Sequence, residues 1–264
     1  MTTEGFAPAK INLTLHVTGQ REDGYHLLDS LVVFADIGDR LWFDAGPDMR
    51  ITVTGLFAEG VPVDRHNLVW QAAVLAGWTG HITIEKNLPH GAGIGGGSSD
   101  AAAVLRAFGG GPDALSLGAD VPVCLTQRPK RMRGTGEVLD PLAPLPAMEI
   151  LLVNPRVAVP TGPVFDGLVS KQNQAMPETL PEFADAPAFC HWLSTQRNDL
   201  EDPARALTPL IDASLAALDC ALIARMSGSG ATCFGLYASG AEQAAQRIAQ
   251  AHPTWWVRAG SVLS

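Results

Sequence analysis

Lys86 to Phe108 reads KNLPHGAGIGGGSSDAAAVLRAF, and its middle, Gly91 to Gly97, holds five glycines in seven residues. Glycine loses more backbone freedom on folding than any other residue, so such a cluster is costly unless a backbone must come very close to something. Directly after it, Ala101, Val104, Leu105 and Phe108 recur at i, i+3, i+4 and i+7, which predicts a helix that starts near Ser98 and buries that stripe. A glycine loop opening a helix offers free backbone N–H groups and the positive end of the helix dipole, and a polyphosphate suits both. The run Gly91, Ala92, Gly93, Ile94, Gly95, Gly96, Gly97, Ser98, Ser99 is therefore the expected phosphate cradle. Ser98 or Ser99 is expected to cap the helix and to leave a hydroxyl for phosphate oxygen or a hydrated Mg2+.

Two better-known glycine loops fit less well. Gly91, Gly93 and Gly96 satisfy the dinucleotide pattern GxGxxG, but that motif wants a continuously apolar strand running straight into the first glycine. Here HITIE (81–85) alternates, and KNLPH intervenes. A Walker A loop would end in Gly-Lys-Ser or Gly-Lys-Thr, whereas this one ends Gly97-Ser98-Ser99. A plain surface turn has no use for so many glycines just before a helix.

The rest of the composition bounds the ligand. The chain has 264 residues, 47% of them hydrophobic, enough for one large domain or two medium ones. Its net charge of -9 argues against a sequence-independent hold on nucleic acid, which needs a dense array of Lys and Arg. Cys124, Cys190, Cys220 and Cys233 show no CxxC spacing and the histidines no HxxxH or HExxH pair, so no protein-built metal site and no redox dithiol are expected. The N-terminus lacks a basic segment followed by an apolar run, and no stretch of about 18 apolar residues occurs, so a cytoplasmic setting without a membrane partner is expected.

Along the chain, Ile11, Leu13, Leu15 and Val17 alternate with Lys10, Asn12, Thr14 and His16, the period of a half-buried strand with Lys10 and Asn12 on the face away from the apolar row. Asp23-Gly24 is a turn signal that delivers Tyr25 and His26 to a loop tip or strand start. NLVWQAAVLAG (67–77) predicts a helix stopped at Gly77, and after the glycine loop VPVCL (121–125) is expected as a short strand. The prolines of PLAPLP (141–146) suggest a hinge, giving domains 1–145 and 146–264, the second an α+β sandwich with a mobile loop over 170–187.

Taken together, APAKINLTLHVTGQREDGYH (7–26), LPHGAGIGGGSSDAA (88–102), LGADVPVCL (117–125), GTGEVL (134–139), VPTGPVF (159–165), RNDLE (197–201) and MSGSGATCFGLY (226–237) resemble the GHMP kinase superfamily across nearly the whole chain. The first and fifth blocks resemble the branch that phosphorylates a cytidine diphosphate-linked methylerythritol. The resemblance implies an α+β, two-domain GHMP kinase architecture: a ribosomal-protein-S5-like N-terminal domain and a ferredoxin-like C-terminal domain, with the active site in the cleft between them. It also implies the reaction, transfer of the ATP γ-phosphoryl group to the 2-hydroxyl of the methylerythritol unit in isoprenoid precursor synthesis, with Mg2+ accompanying the ATP. A bacterial monomer or homodimer is expected.

By resemblance Lys10 neutralises charge on the transferring group and Asp120 accepts the hydroxyl proton. From the residues alone, Lys10 reads first as a solvated strand lysine, and Asp120, between Gly118 and Pro122, reads equally as a turn-capping aspartate. By resemblance Tyr25 and Phe165 stack on the base, His26 reads its polar edge, Thr161 lies nearby and Asn12 meets the methylerythritol hydroxyls. Phe165 also reads as core. On the ATP side Asn67, Leu68 and Lys86 match positions that frame adenine, although Asn67 equally caps its helix. RPKRMRGTGE (128–137) is unusually basic, either a solvated turn or a guide for anionic substrates. Two other functions compete: a homoserine or mevalonate type of GHMP kinase, and a catalytically inactive nucleotide-binding regulator.

Overall fold

A computed structural model of the chain describes residues 2–264. In chain order its elements are β1 (Thr3–Asn12), β2 (His16–Gln20), β3 (His26–Ala45), β4 (Arg50–Thr54), α1 (Leu68–Leu75), β5 (Gly80–Glu85), α2 (Gly96–Phe108), a 3-10 segment (Gly111–Leu117) and α3 (Val121–Cys124). There follow β6 (Lys130–Gly134), β7 (Val138–Pro141), β8 (Glu149–Asn154), α4 (Thr161–Asp166), α5 (Ala186–Ser194), α6 (Glu201–Leu207), α7 (Leu210–Ala217), β9 (Ile223–Met226), β10 (Cys233–Tyr237), α8 (Ala241–Ala251) and β11 (Trp256–Leu263). The chain forms two compact units, and neither is one continuous piece of sequence. The first takes the residues up to Lys10, Gly38–His90 and Gly95–Gln127; the second takes Ile11–Ile37, Gly91–Ile94 and Arg128–Ser264.

In the first unit the second half of β3 pairs antiparallel with β5, from Arg40↔Glu85 to Ala45↔Gly80, and β5 pairs parallel with β4. Helices α1 and α2 pack against each other. The stripe predicted for α2 buries Ala101, Val104 and Leu105, and Phe108 meets Phe43 edge-on and stacks on Trp78. Gly77, at φ 66, follows the end of α1 as expected. VPVCL is helical rather than extended: Pro122 at the second position presets a helical φ and needs no N–H partner there, which outweighs the strand preference of the valines.

In the second unit β8 lies between β10 and β11, antiparallel to both, and β9 pairs beyond β10. Helices α4, α6, α7 and α8 supply Val164, Ala204, Ile211 and Ile248 to the core with Leu151, Val153 and Cys233. The first half of β3 pairs with β2 and β6, and the β6–β7 hairpin closes that edge.

Two expectations fail here. The alternating N-terminal stretch is buried on both faces, for Lys10, Asn12, Thr14 and His16 are as inaccessible as Ile11 and Leu13, and the strand breaks between Asn12 and His16. Nor is the basic stretch 128–137 solvated throughout: Arg128 is exposed, and Lys130 and Arg133 are half-buried. Arg131 is buried in β6, with Nε and one Nη each 2.8 Å from the two carboxylate oxygens of Asp29, and it donates to the carbonyls of Met176, Pro177 and Glu178. Asp29 accepts the Met176 N–H as well, so this pair fastens the middle of the 170–187 loop. Arg133 is matched by Asp140 at 2.7 Å. The charges of Arg131 and Arg133, neutralised in this way, are poorly suited to steering distant anions, whereas Arg128 stays exposed.

Candidate active site

Helix α2 begins at Gly96, and its N-cap is Gly95 at φ 62, with no side-chain cap. The expected cap by Ser98 or Ser99 is therefore not formed, and Gly95 takes that position. A β-carbon at Gly95 would lie 3.0 Å from Lys10 Cε, so this residue must adopt a left-handed turn and also leave room for the lysine, and only glycine does both. Ser98 and Ser99 fall inside the first turn, where a hydroxyl cannot reach that turn's own N–H groups. The Ser99 N–H bonds Gly95 O at 2.8 Å, and its Oγ is buried without a hydrogen-bond partner. The N–H groups of Gly96, Gly97 and Ser98 have no carbonyl one turn earlier within the helix, as at any helix start. Earlier in the loop Gly93 is also left-handed, at φ 74, and a β-carbon there would overlap Ser227 O at 2.2 Å.

Strand β1 carries Lys10 into the interior, where it is 4% exposed, and its Nζ lies 2.9 Å from Asp120 Oδ2. Asp120 occupies the N-cap position of α3 but makes no capping bond; its side chain is 37% exposed. Neither a solvated lysine nor a capping aspartate describes this arrangement. A half-open carboxylate held against a buried ammonium can accept a proton while the ammonium faces developing negative charge.

Lys86 is 3% exposed, and its Nζ is held between the carboxylates of Asp39 and Asp100, the latter at 2.6 Å. Asp39 also accepts the N–H groups of Asn87 and Leu88. Burial opposes charge on Lys86, but the two carboxylates outweigh it and hold the ammonium above its ordinary value. Burial pushes the Asp100 carboxyl up to about 7, against the pull of Lys86. Two acids share one base, and the excess negative charge falls on Asp100, whose Oδ1 has no hydrogen-bond partner. The Lys86 ammonium is thus engaged by the protein itself. Asn67 caps α1, accepting the Val69 N–H at 2.9 Å and donating to Pro62 O at 2.7 Å. Leu68 lies beside the loop, with Cδ1 3.8 Å from where a Gly97 β-carbon would sit.

In the second unit Tyr25, His26 and Phe165 line one cavity of about 450 Å3 together with Asp23, Gly24, Leu28 and Thr135. The His26 ring stacks on Phe165 at 4.4 Å and 19°, while Tyr25 is 64% exposed. Burial lowers the His26 pKa, with Lys171 adding to the effect, and its Nε2 is buried without a hydrogen-bond partner. A neutral imidazole nitrogen left unpaired in a cavity wall suits the polar edge of a base. Thr161 Oγ1 lies 2.9 Å from Ser229 Oγ. Asn12 donates its amide to Ser30 Oγ at 2.8 Å, and its backbone N–H reaches Ser227 Oγ at 3.1 Å.

Residues 67–110 match the GHMP kinases N terminal domain, and 180–254 the GHMP kinases C terminal. A 4-diphosphocytidyl-2-C-methyl-D-erythritol kinase of Dinoroseobacter shibae is 57% identical over 96% of this chain and 92% of its own length. The protein of that name from Paracoccus denitrificans is 58% identical over 97% and 95%. This chain belongs to the 4-diphosphocytidyl-2-C-methyl-D-erythritol kinase family. A crystal structure of a 4-(cytidine 5'-diphospho)-2C-methyl-D-erythritol kinase superposes with a TM-score of 0.74 at 35% identity, covering 99% of this chain and all of that one. Homoserine kinase from Cytophaga hutchinsonii, 20% identical with a TM-score of 0.63, shares the fold.

Kinases of this family transfer phosphate to an alcohol and fit a need for a divalent metal. Among the described residues no group of three or more His, Cys, Asp or Glu could hold one. The Ser99 hydroxyl, orphaned in the first turn of α2, fits an ion that arrives with the triphosphate and keeps most of its own ligands. Sequence reasoning misses Asp39, Asp100 and Thr135. Thr135 sits in the quoted GTGE turn, so a signal existed; Asp39 and Asp100 gave none, because a lone acid in a strand or helix reads as solvated.

Proposed function

We propose that this chain is an ATP- and Mg2+-dependent kinase that phosphorylates the 2-hydroxyl of 4-diphosphocytidyl-2-C-methyl-D-erythritol and releases ADP. In this reading the amides of Gly91 to Ser99 cradle the triphosphate. Lys10 stabilises charge on the transferring group, and Asp120 takes the proton of the attacking hydroxyl. Mg2+ neutralises phosphate charge when bound. Asn12 orients the alcohol, and Tyr25, His26 and Phe165 hold the cytosine, with Thr161 beside them. We place the protein in the bacterial cytoplasm as a monomer or homodimer that takes no nucleic acid.

The observation that carries the substrate assignment is the aromatic cavity with its unpaired imidazole nitrogen, since a glycine loop and a Lys–Asp pair would serve any GHMP kinase. Offering the cytidine substrate, homoserine and mevalonate separately with ATP and Mg2+, and following ADP, tests it. Turnover is expected with the cytidine compound alone; turnover with either other alcohol and none with it would overturn the assignment.

Stacking on an aromatic ring contributes roughly 1 to 3 kcal/mol per base, so Tyr25→Ala is expected to raise KM for the cytidine substrate about tenfold. KM for ATP should stay within about twofold, as uniform binding lost at one substrate leaves the other untouched. A disturbed KM for ATP with the cytidine KM unchanged would mean the cavity is assigned to the wrong substrate.

A further inference from the structure

Within the second unit two carbonyls of the glycine loop are tied to the turn that joins β9 to β10. Thr232 N–H donates to Ala92 O at 3.2 Å, and Ser227 Oγ donates to Gly93 O at 2.8 Å. A peptide unit is planar and trans, so its C=O and N–H point in opposite directions. Fixing these two oxygens against the turn therefore aims the N–H groups of Gly93 and Ile94 the other way. Those amides are what this part of the loop can offer to a phosphate.

The turn is closed by its own backbone bonds, Ser227 N–H to Thr232 O at 2.9 Å and Gly230 N–H to Ser227 O at 3.0 Å, and is clamped from outside by Asn198, from the RNDLE segment, which has no role in the function proposed above. It is 7% exposed, and its Nδ2 donates to Met226 O and Gly228 O, both at 2.9 Å. Its Oδ1 accepts the Leu200 N–H at 3.0 Å. Both amide hydrogens thus clamp the carbonyls on either side of Ser227. An aspartate could not do this, because it would set carboxylate oxygens against two carbonyls. The neighbouring Asp199 is engaged elsewhere, accepting from Val17 N–H at 2.7 Å and Arg197 at 2.6 Å.

We propose that Asn198 is a positioning residue for phosphoryl transfer: by clamping the backbone on both sides of Ser227 it directs that hydroxyl onto Gly93 O and so keeps the Gly93 and Ile94 amides aimed at the donor phosphates. The role rests on the reading of Gly91 to Ser99 as the phosphate cradle. Asn198 touches neither substrate, since its own donors and acceptor are occupied by the chain. Ser227 Oγ also accepts the Asn12 backbone N–H at 3.1 Å, but the Asn12 side chain, the part that would meet the alcohol, is held by Ser30, so the alcohol side should be affected less than the ATP side.

The test uses the full chain with Asn198→Ala, Asn198→Ser, Ser227→Ala and the double variant Asn198→Ala/Ser227→Ala, comparing KM for ATP, KM for the cytidine substrate and melting temperature. Each single variant is expected to raise KM for ATP about tenfold while the cytidine KM stays within about threefold. Because both residues act through one bond, the double variant is expected to be no worse than the poorer single one, rather than about a hundredfold worse. A purely structural role would lower the melting temperature of folded variants and leave KM for ATP alone, which would overturn the proposal. Multiplying effects in the double variant would overturn it too. If Asn198→Ala does not fold, Asn198→Ser and Ser227→Ala decide on the same terms. A wild-type chain that turns over no ATP would remove the cradle reading itself, whereas a working wild type beside variants of unchanged KM removes only the role of Asn198.

Discussion

Asp120→Asn is expected to lower kcat about a thousandfold, the middle of the range for loss of a proton-accepting group, and to leave KM for both substrates within about threefold. The substitution keeps the shape of the side chain and its place at the start of α3, where it makes no capping bond, so the helix start should be retained. What it removes is the charge 2.9 Å from Lys10 Nζ and the capacity to take a proton. Two effects then act together: the hydroxyl loses its proton acceptor, and a buried ammonium loses its counter-charge and its fixed direction. Both are felt chiefly when charge develops on the transferring group, which is why kcat should fall and ground-state binding should not. Steady-state kinetics with each substrate varied in turn measures this. Unchanged kcat with KM for the alcohol raised tenfold would make Asp120 a binding group only.

The parts of the site that were legible in the sequence are those set by backbone conformation and short spacing. Gly93 and Gly95 announce left-handed turns with close neighbours, and the stripe from Ala101 to Phe108 announces the helix behind them. The helix starts at Gly96, two residues before the expected Ser98: a serine normally outcompetes glycine as a cap, but the approach of Lys10 to Gly95 reverses that preference, and such an approach is invisible in one dimension. The division into units was harder to read for a related reason. Residues Ile11–Ile37 and Gly91–Ile94 group with the C-terminal half of the chain, and nothing in the sequence marks where either segment changes units: the glycine cluster itself is cut between Ile94 and Gly95. Pairings between distant residues were the least legible. Arg131 and Asp29 look like surface charges until β6 is laid beside β3, which sets Arg131 opposite Leu31 and brings the 170–187 loop over both.

Lys86→Met is expected to destabilise the first unit by about 3 to 5 kcal/mol, the usual result of removing one partner from a buried ion pair. Methionine fills most of the lysine's volume, so little cavity forms, and the loss comes from Asp39 and Asp100 left facing each other without a cation. For a chain of this size that corresponds to a melting temperature lower by about 10 °C. The sign of the pH dependence follows from Asp100. Its folded pKa, about 7, lies above the ordinary carboxylate value of 3.8 even with Lys86 present. The folded state therefore binds the extra proton, and the stability held below the lower value is lost as pH rises through the upper one. Without the ammonium both acids need protons to stay buried, so the deficit of Lys86→Met should be larger at pH 8 than at pH 5. Asp100→Asn, which removes the excess negative charge, should gain on the wild type over the same interval, since it has no carboxyl to deprotonate there. Thermal melts of the three proteins at both pH values, with KM for ATP measured alongside, separate this from a direct contact with adenine. A lysine that touched the nucleotide would change KM for ATP tenfold and leave the melting temperature alone, because its counter-ions would then not depend on it. The triad lies directly beneath the first turn of α2, with Lys86 Nζ 3.6 Å from the position of a Gly96 β-carbon. A loss of packing order there should also loosen the amides that begin the helix, so in Lys86→Met a weaker grip on ATP accompanies the lower melting temperature and eases with it toward pH 5.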